Sequence, residues 1–165
     1  MSKPDSHNTQ APLAHDHKKC ITEAISMAER LCVKRGVNMT PIRRKILELI
    51  WESHKAVKAY DLLDHIKPLN YSAKPATVYR ALDFLLGQGL IHKVESLNAY
   101  VGCNCSDRQH EQLLLICDQC HEIEERAAFD VMHALTSEIQ KAGFIISYKS
   151  IEIHGTCAAC ARANA

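Results

Sequence analysis

Two Cys-x-x-Cys pairs in the last third of the chain, Cys117/Cys120 and Cys157/Cys160, are the residues most suited to chemistry. Four thiolates arranged in two such pairs are the usual ligands of a tetrahedral structural Zn²⁺. The segment between the pairs is longer than the roughly 15–20 residues of a simple zinc ribbon, so a whole strand–helix–strand unit must fold between them. The pattern predicts one structural zinc; the alternative is two unrelated pairs of buried thiols.

A second group of potential ligands lies around the middle of the chain. Its members are His92, Cys103, Cys105, His110, Glu122, Glu124 and Glu125. A mixed sulfur, imidazole and carboxylate set suits Zn²⁺, whereas an all-nitrogen and oxygen set would suit iron, manganese or nickel better. A site drawing on both halves of the chain would fix their relative orientation and so link metal occupancy to binding. A surface histidine or a phosphate contact explains His92 equally well by spacing alone.

The overall composition restricts the class of protein. The chain has 165 residues, of which 47% are hydrophobic and 24% charged, and this fits one compact domain or two small ones. The net charge of +1 means that a nucleic-acid surface must be a local patch. There is no secretory signal and no run near the roughly 18 apolar residues of a membrane span. We therefore expect a cytoplasmic protein whose cysteines are reduced and available to metal.

The first half has the pattern of a winged helix-turn-helix. After a polar tail, apolar residues recur at helical spacing in four segments, and the second begins with Thr40 as N-cap and Pro41 as first helical residue. The fourth runs from Pro75 to Gly87. Two short strands, 90–94 and 99–101, follow it. Three packed helices followed by a hairpin are typical of DNA-binding domains.

The second half is predicted to be α+β. A buried strand at 113–116 leads into the first cysteine pair, and 123–126 is a candidate second strand. An amphipathic helix at 128–139 is capped by Gly143, and a long β-rich segment at 144–153 leads into the second pair. The predicted organisation is a disordered tail (1–18), a winged-helix domain (19–96), a hinge (97–103) and a zinc-binding dimerisation domain (104–165).

The fourth helix has the composition of a recognition helix. Its apolar stripe faces inward, which leaves Thr77, Tyr79 and Arg80 near the start of the exposed side. Arginine can pair with guanine in the major groove, and threonine or tyrosine can meet a thymine methyl group or a phosphate. Arg43 on the second helix and Lys93 in the wing are candidates for phosphate contacts. The alternative is an ordinary solvated helix face.

Several separated motifs together resemble the ferric uptake regulator family, and most closely its zinc-sensing branch, the zinc uptake regulators. They are Ala59-Tyr-Asp-Leu-Leu63, Lys74-Pro-Ala-Thr-Val-Tyr-Arg-Ala-Leu-Asp-Phe-Leu85, Ile91-His-Lys-Val-Glu-Ser96, Cys117-Asp-Gln-Cys120 and His154-Gly-Thr-Cys-Ala-Ala-Cys160. The resemblance implies a homodimer with N-terminal winged helices and C-terminal α/β dimerisation domains. It implies a zinc-loaded repressor that binds AT-rich inverted repeats at zinc-uptake genes and releases them when zinc is scarce.

The resemblance also implies roles for individual residues and two zinc ions per chain. The structural zinc falls on Cys117, Cys120, Cys157 and Cys160, and the regulatory zinc on His92, Cys103, His110 and Glu125. Tyr60, Tyr79 and Arg80 fall on DNA-contact positions, and Arg43 on a basic position of the second helix. Cys105 is an alternative to Cys103, because two cysteines stand where the family has one.

Three other functions remain as alternatives. A sister sensor for nickel, manganese or peroxide would need a second site without cysteine. A thiol–disulfide oxidoreductase would need an exposed thiolate of low pKa at a helix N-terminus, and we expect neither cysteine pair to open a helix. A zinc-stapled protein-interaction module would lack the basic face of the fourth helix. No nucleophile–base arrangement stands out, so we do not expect an enzyme.

Overall fold

The computed structural model describes residues 17–52, 55–68, 73–104, 112–147 and 149–163. Four helices come first, then a two-stranded hairpin, then a three-stranded sheet with two further helices. In chain order the elements are α1 (His17–Lys34), α2 (Pro41–Trp51), α3 (Ala59–Ile66), α4 (Pro75–Gly87), β1 (Ile91–Val94), β2 (Ala99–Gly102), β3 (Gln112–Cys117), β4 (Ile123–Ala127), α5 (Phe129–Lys141), β5 (Ile151–Gly155) and α6 (Ala158–Ala163). The predicted α+β class is confirmed.

Local capping sets the helix ends much as the sequence predicts. The Thr40 side chain accepts a hydrogen bond from the backbone N–H of Arg43, and Pro41 is the first residue of α2. Gly36 follows α1 with a φ of 65°, a left-handed conformation that glycine adopts without strain. These capping signals depend only on neighbouring residues, so they set the helix ends independently of the rest of the fold.

The first core lies between α1–α4 and the hairpin. On α4 the buried side chains are Val78, Ala81, Leu82 and Leu85. Ile46 and Ile50 of α2 are fully buried against them. Because the apolar stripe of α4 faces this core, the opposite face of the helix is turned to solvent, as its sequence predicts.

The hairpin β1–β2 forms the wing. Ile91 pairs with Gly102 and Val94 with Ala99, so residues 95–98 make the turn. Val57 exchanges two backbone hydrogen bonds of 2.8 Å with Tyr100 and fixes β2 to the segment before α3. Strand β2 therefore lies within the range predicted as a hinge, and it belongs to the wing by its pairing.

The second sheet has the order β4-β3-β5. Strand β3 is antiparallel to β4 and parallel to β5, and α5 lies in the connection between β4 and β5. Val94 and Val101 of the wing pack against Leu114 and Ile116 of β3 in a second apolar cluster. This cluster joins the wing to the C-terminal sheet.

The prediction of a long β-rich segment at 144–153 is wrong. Strand β5 begins only at Ile151, and residues 144–147 have no regular structure. Phe144 is 68% exposed and Ile145 is 91% exposed. An apolar run predicts burial, but it does not say whether the same chain or another molecule buries it.

Among the described helices, none combines the length and the apolarity needed to cross a bilayer.

Gly102 is required by the packing of β2 on α2. A Cβ placed there would lie 2.5 Å from Cε2 of Trp51. We expect Gly102→Ala to lower the free energy of unfolding by about 1–3 kcal/mol, because the indole ring would have to shift within a packed core. Denaturant unfolding measures this. Gly87→Ala is the matched control, since a Cβ there meets no atom within 4 Å; equal effects of the two substitutions would contradict the packing argument.

Candidate metal centres and nucleic-acid interface

The two cysteine pairs meet at one end of the C-terminal sheet. Cys117 is the last residue of β3, and its partner in the parallel β5 is Gly155, two residues before Cys157. The four sulfur atoms of Cys117, Cys120, Cys157 and Cys160 all lie within 4.8 Å of one another. Parallel strands end at the same edge of a sheet, so this pairing brings cysteines far apart in sequence together.

The spacing of the sulfur atoms fits a tetrahedral metal site. Sγ of Cys120 lies 3.8 Å from Sγ of Cys157. Zn–S bonds of about 2.3 Å at tetrahedral angles would place neighbouring sulfurs roughly 3.8 Å apart. The residues present therefore suit a structural zinc ion, and they leave no ligand position open for substrate.

Backbone amides favour negative charge in this cluster. The N–H of Cys157 donates to Sγ of Cys117 at 3.3 Å, and the N–H of Cys160 donates to Sγ of Cys157 at 3.4 Å. Hydrogen bonds from the amides of Cys120, Cys157 and Gln119 lower the pKa of Cys117 to about 6. The hydrogen bond to Cys157, then burial and the other nearby thiols, raise the pKa of Cys160 to about 12. The Cys117 thiolate therefore forms readily, and a bound cation is needed before all four cysteines can be thiolates together.

The prediction that neither cysteine pair opens a helix is wrong. Helix α6 begins at Ala158, directly after Cys157, and the N–H of Ala161 donates to the carbonyl of Cys157. The sequence offers little warning, since six residues are too few for a clear helical period. Cys157 and Cys160 nevertheless lie against the other pair, which is the arrangement of metal ligands and not of an isolated redox pair.

A second cluster joins the wing to the C-terminal sheet. Nε2 of His92 lies 3.4 Å from Oε1 of Glu125, and Sγ of Cys103 lies 4.0 Å from the same oxygen. One donor atom from each of the three residues falls within 4.8 Å of the others. The Glu125 side chain is only 5% exposed, and its other oxygen accepts a 3.0 Å hydrogen bond from the N–H of Asn104.

Strand geometry explains which residues meet there. His92 lies opposite Val101 in the wing, and Cys103 directly follows β2, where its N–H donates to the carbonyl of Leu90. Glu124 and Glu125 point to opposite faces of β4, since side chains alternate along a strand. Glu124 is exposed and pairs with Arg126, whereas Glu125 turns toward the wing.

The structure brings three of the four predicted regulatory ligands together, and His110 and Cys105 lie outside the described residues. Sulfur, imidazole and carboxylate suit zinc as a set, and the three leave a tetrahedral coordination incomplete. The hydrogen bond from Asn104 was not predicted, because a backbone N–H leaves no signature in the sequence. Glu122 instead lies 3.9 Å from Sγ of Cys120.

The candidate nucleic-acid surface is centred on α4. Tyr60 is 70% exposed and Tyr79 is 50% exposed, and Arg80 is exposed beside them. The hydroxyl of Thr77 accepts a 3.3 Å hydrogen bond from the N–H of Lys74, so this side chain caps the start of α4. That capping role was missed, because the residues that usually play it at the third position of a helix are glutamate and glutamine.

Two other predicted contact residues have partners within the protein. The guanidinium of Arg43 lies 3.6 Å from the centre of the Phe84 ring and donates to the carbonyl of Asn38. Lys93 forms a 2.6 Å ion pair with Glu95. An exposed pair of this kind contributes little free energy, so it is easily exchanged for a phosphate.

A scan against family models matches residues 34–154 to the ferric uptake regulator family. The chain belongs to this family. Within it, the chain is 44% identical over 152 residues to the zinc uptake regulation protein of Escherichia coli strain K12, covering 90% of this chain and 87% of that protein.

Two solved structures are similar to the whole fold. A zinc uptake regulator complexed with zinc and DNA has a TM-score of 0.82 at 43% identity, covering 87% of this chain and 97% of the other. Holo XcZur has a TM-score of 0.78 at 42% identity, covering 85% and 98%. The crystal structure of apo XcZur has a TM-score of only 0.50 to this chain at the same 42% identity. Because sequence identity is equal in the last two, the difference in TM-score means that this member of the ferric uptake regulator family is more similar in arrangement to the holo form than to the apo form.

The four-cysteine cluster generates a direct test. We expect Cys120→Ser to lower the zinc content by about one ion per chain and to lower the melting temperature, because a hydroxyl is a poor zinc ligand. Native mass spectrometry and thermal unfolding measure the two effects. Cys20→Ser on α1 is the control, as Cys20 lies in neither cluster. Unchanged zinc content in the Cys120 variant would contradict the assignment.

Proposed function

We propose that this chain is a zinc-responsive transcriptional repressor of the zinc uptake regulator type. The observation that carries the proposal is the cluster of His92, Cys103 and Glu125, because its ligands come from both the wing and the C-terminal sheet. A metal ion bound there adds to the contacts that join these two parts of the chain, among them a small apolar cluster. Metal occupancy then controls the position of α4, the DNA-facing helix.

Zinc is the cofactor, and we propose two ions per chain with different tasks. The ion at Cys117, Cys120, Cys157 and Cys160 holds the end of the C-terminal sheet together. The ion at His92, Cys103 and Glu125 is regulatory, with His110 as the fourth ligand. The buried cysteine in the second set favours zinc over nickel, manganese or iron.

The chain acts as a homodimer through its C-terminal half. Several large apolar side chains are exposed there, which is unfavourable unless a partner covers them. They are Phe129, Val131, Phe144, Ile145 and Ile153, with exposures between 50% and 91%. This supports residues 104–165 as the dimerisation domain. The winged-helix domain predicted at 19–96 also takes in β2 (Ala99–Gly102), which pairs with β1, so the proposed hinge is shorter than the predicted 97–103. Of the segment predicted as a disordered tail (1–18), residues 1–16 lie outside the described residues, and the prediction is wrong for His17 and Lys18, which belong to α1.

The mechanism is a population shift. Without regulatory zinc, the two wings of a dimer take many separations. Zinc favours the closed arrangement, in which both α4 helices enter successive major grooves of one AT-rich inverted repeat, about 34 Å apart. A preference of a few kcal/mol for the closed state is enough to move the equilibrium. DNA at the zinc-uptake genes is released when zinc is scarce.

DNA contact is assigned to α4 and its surroundings. Arg80 and Tyr79 face the groove with Thr77 one turn earlier on α4, and the exposed Tyr60 of α3 is assigned a further DNA contact. Arg43 and Lys93 contact phosphates at its edges. A zinc-stapled protein-interaction module would not need exposed tyrosines and an arginine aligned in this way.

Removing Cys103 tests the regulatory site. We expect Cys103→Ser to abolish zinc-dependent DNA binding while the dimer and one zinc per chain remain, because the four-cysteine cluster is separate. Fluorescence anisotropy of labelled operator DNA during a zinc titration measures this. Cys105→Ser is the matched comparison and should respond normally; the reverse outcome would assign the ligand to Cys105, and a full response of both variants would reject the site.

Arg80 tests the DNA surface. We expect Arg80→Ala to weaken operator binding at saturating zinc by about 1–3 kcal/mol, because a charged contact to a base or phosphate is lost. Zinc content should not change. Arg30→Ala removes an exposed arginine from α1, away from this surface, and serves as control. Equal losses in the two variants would mean that general charge, and not the α4 surface, drives binding.

A further inference from the structure

A carboxylate of the C-terminal sheet binds the turn of the wing. Glu152 of β5 accepts a 2.5 Å hydrogen bond from the N–H of Glu95 and a 3.1 Å hydrogen bond from the N–H of Ser96. These two amides are consecutive in the turn between β1 and β2. None of the three residues belongs to either metal cluster.

A second contact lies two residues further along β5. Nε2 of His154 is 3.0 Å from the hydroxyl of Ser96, and Nδ1 is 3.1 Å from Oδ1 of Asp118. Residues two apart on a strand share one face, so Glu152 and His154 both point at the wing. The carboxylate of Asp118 holds the imidazole ring in the orientation that reaches Ser96.

The contact is favourable for the ionised carboxylate. Burial raises the pKa of Glu152, but hydrogen bonds from the Ser96 side chain and from the two turn amides outweigh burial and leave that pKa below its usual value. Hydrogen bonds from amides to an ionised oxygen are stronger than those between neutral groups. Leu97, the next residue of the same turn, packs on the apolar cluster that joins wing and sheet.

We propose that Glu152 and His154 form a wing latch, which holds the wing against the C-terminal sheet without using a metal ligand and so sets the zinc concentration at which DNA binding begins. The inference rests on the proposed function. The latch and the regulatory zinc both stabilise the closed arrangement, so their free energies add in the equilibrium between open and closed forms. A protein lacking the latch has a smaller closed fraction, and its apparent zinc affinity falls by the same factor.

The first measurement follows hydrogen exchange at the Glu95 and Ser96 amides in the zinc-loaded full chain. We expect Glu152→Ala to speed exchange at these two amides by roughly tenfold, which corresponds to about 1.4 kcal/mol. Glu138→Ala is the control, since Glu138 is an exposed carboxylate on α5 that pairs with Lys141. This readout needs neither DNA nor a functional assay.

The second measurement is a zinc titration of operator binding by fluorescence anisotropy. We expect the zinc midpoint of Glu152→Ala to rise by roughly tenfold. Zinc content and DNA affinity at saturating zinc should stay close to those of the unchanged chain. A merely structural role would instead lower the affinity at saturation. Ser96→Ala removes the hydroxyl that contacts His154 and Glu152 but keeps the two backbone amides that bind Glu152, and we expect a smaller rise in the same direction.

The outcomes separate the two proposals. If the unchanged chain binds DNA equally with and without zinc, the proposed function fails, while the exchange result still judges the latch contact. If the unchanged chain responds to zinc but Glu152→Ala keeps its midpoint and its amide protection, the latch is overturned. If Glu152→Ala does not fold, Ser96→Ala decides alone, and an unchanged midpoint in that variant overturns the latch.

Discussion

The arrangement of the molecule depends on one buried carboxylate, Glu125, which stands between the wing and the C-terminal sheet. A carboxylate that is 5% exposed loses most of its hydration, and the protein must replace it. Asn104 supplies a backbone N–H, and His92 and Cys103 place a nitrogen and a sulfur near the same oxygen. A divalent cation completes that replacement better than a proton, because it binds all three donors at once. In the proposed function, the charge of Glu125 is therefore what makes the closed arrangement sensitive to metal.

One strand carries this sensitivity to the DNA-facing side. His92 and Lys93 are neighbours on β1, so their side chains point to opposite faces of the wing. His92 faces Glu125, whereas Lys93 lies opposite Tyr100 in the hairpin. Burial raises the pKa of Tyr100, and the nearby positive charge of Lys93 offsets part of that rise. Tyr79 and Asp83 of α4 also influence the pKa of Tyr100. In the proposed mechanism, metal bound on the His92 face restrains the strand that carries Lys93 on its other face.

The sequence predicted local features well and features that depend on chain pairing less well. Thr40 and Pro41 begin α2 by their own chemistry, and the cysteine spacing singled out four residues whose sulfur atoms the structure brings together. The prediction of a strand from Phe144 onward was wrong as far as residue 147, where Phe144 and Ile145 are exposed in the single chain, and the strand begins only at Ile151. The proposed latch at Glu152 could not be predicted from the sequence for another reason. Its partners are two backbone amides, and every residue except proline carries one.

The difference between the two metal clusters follows from where their ligands lie. All four cysteines belong to one sheet edge and one short helix, so metal there stabilises a fold that has a single arrangement. His92, Cys103 and Glu125 come from the wing and the C-terminal sheet, so under the proposed function a metal ion there selects among relative positions of the two. The proposed latch at Glu152 also spans the two bodies, yet none of its groups is a metal ligand. A contact of this kind tunes the response without creating it: a weaker latch raises the zinc concentration needed for closure, and a latch that is too strong removes the need for zinc.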